Sequence, residues 1–155
     1  MKDARFLSEL LKEKIKVRYS NEPFTIEGDS YHRGSLIVTK LDNAAKDFMA
    51  KLEEISNKHK VPLKSVQTGF VDKGKDFGSD AVKMIKPTKV AMLRGGPTST
   101  LSFGEIWHYF EQQLGYPVGV LDADYMSRVD LSTYDVLVLP DGRYSSFMDE
   151  KVLGS

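Results

Sequence analysis

The residues best placed to bind a ligand form a glycine-rich loop, Gly95-Gly96-Pro97-Thr98-Ser99-Thr100, directly after Arg94. Glycines between a parallel strand and a helix can present backbone N–H groups to an anion. The loop matches neither common phosphate-binding fingerprint, it lacks lysine, and its proline removes one donor. We therefore favour a tight turn with a threonine or serine cap, and keep a bound phosphate or carboxylate as the alternative. The candidate ligand-binding residues are Arg94, Gly95, Gly96, Thr98, Ser99 and Asp141.

Charged side chains also follow the apolar runs of this half. Arg94, Asp122, Asp124 and Asp141 would line a small cleft if those runs are parallel strands. Asp141 stands where receiver domains carry a phosphorylated aspartate. Those domains also need acidic residues after the first strand to hold Mg²⁺, and this chain has Arg94 there. We predict no phosphotransfer, and we favour capping roles for Asp122 and Asp124.

No set of residues in the sequence supports metal or nucleophilic catalysis. His108 and Glu111 have the H-x-x-E spacing that supplies two ligands in some zinc peptidases, but a catalytic zinc needs a third ligand. His32 and His59 have no supporting motif. Cysteine is absent, as is the G-x-S-x-G motif of serine hydrolases. We therefore predict no catalytic residue, no metal site and no cofactor in this chain.

The bulk composition is that of a soluble globular protein, with 41% apolar and 28% charged residues in 155. The formal net charge is zero, so we predict no nucleic-acid partner. Residues 1–86 carry 17 Lys and Arg against 13 Asp and Glu, whereas residues 87–155 carry 5 against 9. The two halves, at +4 and −4, should attract each other weakly. No apolar run reaches the roughly 20 residues of a membrane span, and the first residues do not resemble a signal peptide. We predict no membrane insertion and no targeting signal.

Residues 1–86 are predicted to form a small α+β segment. An apolar stripe from Phe6 to Leu11 predicts a first helix with Asp3 as its N-cap. A second stripe, from Ala45 to Ile55, predicts another helix capped by Asp42 or Asn43. Strands are predicted at 15–19, 24–26, 35–39 and 66–71, with Gly28 at positive φ in a turn and a loop at 72–80.

Residues 87–155 are predicted to begin a parallel α/β unit. Residues 90–93 are continuously apolar, as in a strand covered on both faces. An amphipathic helix follows, ended by Gly115, and further strands are predicted at 118–121 and 134–139. Strand, helix, strand, crossover and strand begin a doubly wound sheet. A helix is predicted at 145–153, and the next strand is missing, so we expect an excised piece of a longer protein or an abbreviated sheet.

Several segments together resemble the C-terminal region of large bacterial zinc carboxypeptidase-family proteins. In that family a linker domain and a class I glutamine amidotransferase-like domain follow the peptidase. The similar segments are residues 89–96, 103–114, 116–118, 134–142 and 144–146, with residues 24–38 and 76–80 similar to the linker domain. The resemblance thus implies a three-layer, mostly parallel, flavodoxin-like α/β fold at 87–155, incomplete, after a small α+β segment at 1–86.

The resemblance also implies a function. The parent protein would be a periplasmic or secreted zinc metallocarboxypeptidase, with its zinc in a peptidase domain that this chain lacks. This chain would be a non-catalytic accessory module for folding, dimerisation or substrate presentation. Its expected partners are the peptidase domain of the same parent chain and a second copy in a homodimer. The alternatives are a small-molecule or anion-binding domain with its ligand at the Gly95–Thr100 loop, and an enzyme that uses residues beyond Ser155.

Overall fold

The computed structural model describes residues 2–45 and 47–145, and the chain divides into two compact units, Met1–Lys86 and Pro87–Ser155. The fold is mixed α/β, with small sheets in the first unit and one parallel three-stranded sheet in the second.

The first unit contains two helices and five short strands. In chain order they are α1 Lys2–Lys12, β1 Arg18–Ser20, β2 Phe24–Ile26, β3 Asp29–Tyr31, β4 Leu36–Ile37, α2 Phe48–His59 and β5 Val82–Met84. β1 lies between β4 and β5 and is antiparallel to both, while β2 and β3 form a separate hairpin. The hairpin turns at Glu27 and Gly28, both at positive φ, which confirms the prediction for Gly28.

Two apolar clusters hold this unit together. In the first, α1 packs on α2 because their apolar side chains recur at helical spacing and face each other. Its buried residues are Phe6, Leu10, Ile15, Val17, Leu52 and Ile55. In the second, β2 and β4 pack with β5, and the ring of Phe24 stacks on that of Tyr31 at 5.0 Å between centroids. Its buried residues are Phe24, Ile26, Ile37 and Val82.

Several sequence predictions for this unit are wrong in detail. Residues 66–71 form no strand; they belong to an irregular segment, because Val66 and Val71 reach the second apolar cluster without pairing. The third strand of the sheet that contains β1 and β4 is β5, and this strand was not predicted. β1 and β4 are shorter than the predicted strands 15–19 and 35–39.

The predicted start of the second helix is also wrong. α2 begins at Phe48, and Asp42 and Asn43 do not cap it. Asp42 instead accepts two hydrogen bonds from the Arg18 guanidinium, at 2.7 and 2.9 Å. The buried Asn43 amide accepts the Lys16 N–H at 2.8 Å and donates to the Lys16 carbonyl at 3.0 Å. These side chains connect the chain before α2 to the start of β1 and to Lys16 before it. Asp3 lies within the first turn of α1 rather than before it.

The second unit alternates strands and helical segments. In chain order they are β6 Val90–Arg94, α3 Thr100–His108, a π-helical turn Tyr109–Leu114, β7 Val118–Asp122, two 3₁₀ turns, Ala123–Arg128 and Leu131–Thr133, and β8 Val136–Val138. Gly115 ends the π-helical turn at φ 63°, as predicted. The third strand is shorter than the predicted 134–139. The helix predicted at 145–153 lies outside the described residues except for Ser145, which is in a turn.

β6 lies between β7 and β8 and is parallel to both, with Met92 opposite Val120 and Val138. Ala91 and Leu93 face one side of the sheet, where they pack on the 3₁₀ turns through a cluster that contains no residue of α3. Since α3 contacts β6, it lies on the opposite side, where Met92 is fully buried. The side chains therefore alternate between two covered faces of β6, as a parallel strand requires.

Candidate functional site

The Gly95–Thr100 loop closes on itself immediately after β6. Gly95 has φ 104°, which favours glycine, and its carbonyl accepts both the backbone N–H and the hydroxyl of Thr98 at 2.9 Å. A Cβ at Gly95 would also lie 3.3 Å from the Asp122 carboxylate. The Thr98 hydroxyl therefore stabilises the turn, and it donates its hydrogen bond to an acceptor within the protein.

Ser99 is the N-cap of α3, which confirms the predicted threonine or serine cap. Its backbone is extended, and its hydroxyl accepts the N–H of Ser102 at 3.4 Å. Its carbonyl accepts the N–H of Phe103 at 2.9 Å, which starts the helical hydrogen bonding. One of the unpaired donors at this helix terminus is thus used by the helix's own cap.

The segment after β8 lies directly against this loop. The Ser99 N–H donates to the Asp141 carbonyl at 2.7 Å, and the Arg143 N–H donates to the Pro97 carbonyl at 2.7 Å. The Asp141 N–H donates to the Ser102 hydroxyl at 3.1 Å. A Cβ on Gly142 would overlap the Pro97 carbonyl, so only glycine permits this approach. Backbone hydrogen bonds thus join the ends of β6 and β8.

Arg94 is held on the other side of the loop by an aspartate from β7. Its Nε and Nη2 atoms each lie 3.2 Å from Oδ2 of Asp122. The other oxygen of Asp122 accepts the N–H of Asp124 at 3.1 Å, so Asp122 caps the following turn as predicted. The positive charge of Arg94 is thereby balanced within the protein, although its side chain is 57% exposed.

The structure brings all six candidate residues to one end of the parallel sheet. The polar groups of Arg94, Thr98 and Ser99 are bonded to the protein, and Asp141 contributes its backbone to the α3 terminus. Gly96 is exposed and its Cβ position is open. A small anion bound through Arg94 Nε, the Thr98 hydroxyl or the Ser99 N–H would therefore compete with partners that these groups already have within the protein.

The histidine and acidic residues do not assemble a metal centre in the part of the chain that the structure describes. No group of three His, Asp or Glu side chains lies close enough there to hold a metal ion. His108 and Glu111 are both exposed at the junction of α3 and the π-helical turn. His59 bonds instead to Glu9, at 2.6 Å from Nε2 to Oε2. Although partial burial opposes it, hydrogen bonds from Lys58 and His59 lower the pKa of Glu9.

The sequence reasoning missed two surfaces of the second unit. One is an open depression of about 480 Å³ on the outer side of α3. It is lined by Thr100, Leu101, Gly104, Glu105, His108 and Gln113. The other is the sheet beside α3, where Val120 and Val136 are 41% and 44% exposed. Gly104, an isolated glycine inside a helical pattern, was the available signal for the first surface.

Comparison with known protein families, with curated proteins and with solved structures finds no match to this chain. Among the residues that the structure describes, none belongs to a helix with the length and apolar character needed to cross a membrane.

Proposed function

We propose that this chain is a non-catalytic module that binds another protein through the parallel sheet of its second unit. The single observation that carries this proposal is the incomplete cover on the α3 side of that sheet. A helix is about 10 Å across and covers about two strands at their spacing of about 4.8 Å. α3 alone therefore leaves Val120 on one side and Val136 on the other exposed to solvent.

The edges of this sheet support the same conclusion. Within residues 2–45 and 47–145, β7 and β8 each pair with β6 on one side only. Parallel sheets are normally covered on both faces, and exposed apolar strand edges favour pairing with another chain. We define Val120 and Val136 as the open sheet surface.

The strand order supports the more specific fold that the resemblance implies. The order β7-β6-β8 is second, first, third along the chain, which is how flavodoxin-like doubly wound sheets begin. In such sheets ligands bind where the order reverses, between the first and third strands. In this chain the hydrogen bonds from Ser99 and Arg143 fill that position. We therefore propose that residues 87–155 form an incomplete three-layer unit of the class I glutamine amidotransferase-like type. In this unit, the crevice where such sheets bind ligands is closed.

The proposed partner is a zinc carboxypeptidase domain of the same parent protein, and its identity rests on the sequence resemblance alone. The described residues of this chain do not fit a zinc ion, since His108 and Glu111 have no third ligand beside them. The zinc and the hydrolytic chemistry would belong to the peptidase domain, in a periplasmic or secreted parent. This module would support the folding of that domain, its dimerisation or its presentation of substrate.

Calorimetric titration of this chain into the separately purified peptidase domain of the parent tests the proposal. Val136→Asp places a charge on the open sheet surface and is expected to raise the dissociation constant at least about tenfold. Phe70→Asp, at a side chain that is 77% exposed in the first unit, is the matched control and should leave the constant unchanged. Equal binding by both variants and the unchanged chain, or no binding by any, would overturn the proposal.

An anion-binding function is the second candidate, favoured by the exposed Arg94 beside the glycine-rich loop. A phosphate or carboxylate that bound through these same groups would replace Asp122 as the partner of Arg94 Nε and would replace the Asp141 carbonyl as the acceptor of the Ser99 N–H. Both steps cost hydrogen bonds that the unliganded protein already makes. Protein binding is therefore the better-supported function.

A further inference from the structure

β7 is the longest edge strand in the part of the chain that the structure describes. It has five residues, Val118–Asp122, whereas β8 and the edge strands of the first unit have two or three. Natural proteins protect strand edges with short strands, with lysine or proline, or with bulges. β7 has none of these protections, since its one charged residue is Asp122 at its end and its register with β6 is continuous. β5, by comparison, carries Lys83 at its centre.

The hydrogen bonds of the sheet determine which backbone groups of β7 point outwards. The Lys89 carbonyl accepts the N–H of Val136 on β8 at 3.2 Å, so Lys89 and every second residue after it face β8. The residues between them face β7, because successive residues of a central strand bond alternately to its two neighbours. Gly119, which is opposite Ala91, therefore bonds to β6 through the residues on either side of Ala91. It follows that the N–H and C=O of Val120 point to the open edge.

Val120 has an exposed side chain at the same place, at 41% of its surface. A helix laid beside α3 would cover this side chain, but it would leave the outward N–H and C=O of Val120 bonded to water alone. Another extended backbone satisfies both groups, and at a strand spacing of about 4.8 Å its own side chains also lie beside that of Val120. A single added strand therefore accounts for both the unpaired edge and the exposed valine.

We propose that an extended segment of the peptidase domain pairs with β7 and becomes the fourth strand of this sheet. Strand addition of this kind obtains affinity from main-chain hydrogen bonds and specificity from alternate side chains. The alternate side chains on the α3 side would lie beside Val118 and Val120, so we expect that segment to place apolar or β-branched residues there. This inference rests on the proposed function and specifies the element that the partner supplies.

A second copy of this chain fits the edge less well than a larger partner does. Two β7 strands paired about a two-fold axis would contribute five residues each, whereas a stable interface has about 20 residues or more on each side. Such a pair would also leave Val136, on the other side of α3, exposed. A peptidase domain that supplies the added strand has further surface with which to cover Val136.

Amide hydrogen exchange measured residue by residue tests the pairing on the unchanged chain. In the free chain, the Val120 amide is expected to exchange at least about tenfold faster than those of Gly119 and Leu121, which bond to β6. Addition of the separately purified peptidase domain should slow the Val120 amide at least about tenfold, because its N–H then donates to the added strand. A Val120 amide that exchanges equally fast in the complex overturns the inference.

Two substitutions at one position separate the backbone contact from the side-chain contact. Val120→Pro removes the outward N–H at an edge position where proline is compatible with a strand, whereas Val120→Thr keeps that N–H. In calorimetric titration with the peptidase domain, Val120→Pro should raise the dissociation constant at least about tenfold more than Val120→Thr does. The exchange measurement uses the unchanged chain, so it does not depend on the folding of Val120→Pro.

The same titrations distinguish a failure of this inference from a failure of the proposed function. Equal binding by Val120→Pro and Val120→Thr overturns the added strand. If Val136→Asp still weakens binding in that case, the proposed function stands and only the strand pairing is wrong. No binding by the unchanged chain overturns both.

Discussion

At the scale of single residues, the Arg18–Asp42 ion pair connects two parts of the first unit that lie far apart in the chain. Two hydrogen bonds from Arg18 and one of 2.7 Å from the Thr39 hydroxyl stabilise the carboxylate. The hydrogen bonds from Arg18, opposed by partial burial, lower the pKa of Asp42 to about 2. Because the folded protein lowers this pKa, the pair stabilises the fold above the ordinary aspartate range, and that stability is lost as the pH falls through about 2.

Asp42→Asn should therefore lower the free energy of unfolding by about 1 kcal/mol at pH 7, after allowance for solvent screening. The difference between the variant and the unchanged chain should shrink below about pH 4 and vanish only below about pH 2, where the carboxyl is protonated in the folded protein too. Urea unfolding at a series of pH values measures this difference. Asp80→Asn, at an exposed carboxylate, is the control. If Asp42→Asn has the same loss in the free energy of unfolding at every pH down to 2, the ionised carboxylate contributes nothing to stability.

Residues also show why parts of the first unit could not be predicted from sequence. Gly28 was correctly predicted at positive φ and Gly115 at the end of its helix, because a glycine in a turn or at the end of a helical pattern is a local signal. The pattern predicts Asp42 or Asn43 as a helix cap, yet Asn43 bonds to Lys16, 27 residues away. No local pattern encodes that pairing. The same holds for β5, a half-exposed strand of three residues whose partner β1 is separated from it by α2 and a long irregular segment.

At the scale of elements, the β6–α3 loop and the segment after β8 determine whether the sheet end binds an anion. The parallel arrangement of the strands was predicted, and with it the meeting of Arg94 and Asp141 at one sheet end. The contact between the two loops was not predictable, because it depends on how closely the backbone of Gly142 approaches Pro97. Sequence spacing indicates which residues share an edge, whereas hydrogen bonds between two loops follow from their three-dimensional path.

Phosphate or acetate should raise the melting temperature of this chain by less than about 1 °C at concentrations near 10 mM. The reason is that Arg94, Thr98 and Ser99 already bond to protein groups. Thermal melting of the unchanged chain and of Arg94→Ala, with chloride at equal ionic strength as the control, checks this expectation. A saturable rise that Arg94→Ala and Thr98→Ala both abolish would contradict it and favour the anion-binding function.

At the scale of the whole molecule, each unit has its own apolar core, and the formal charges of the halves are opposite. The second unit has a central strand whose first four residues are buried, but it keeps apolar side chains exposed on both sides of α3. Continuous apolar runs predicted the buried strand correctly. The apolar runs could not predict the open sheet surface. The same apolar pattern occurs in a strand that is covered within its own chain and in one that is covered only when another protein binds.

Hydrogen exchange with and without the peptidase domain tests the central claim most directly, since it locates the surface that binds. The account predicts slower exchange of backbone amides at residues 118–122 and 134–140, on and beside β7 and β8, when the peptidase domain is added. Residues 66–76 of the first unit should be unchanged. Protection confined to residues 94–100 and 141–143, or unchanged exchange throughout the sheet, would contradict the claim that this chain is a protein-binding module.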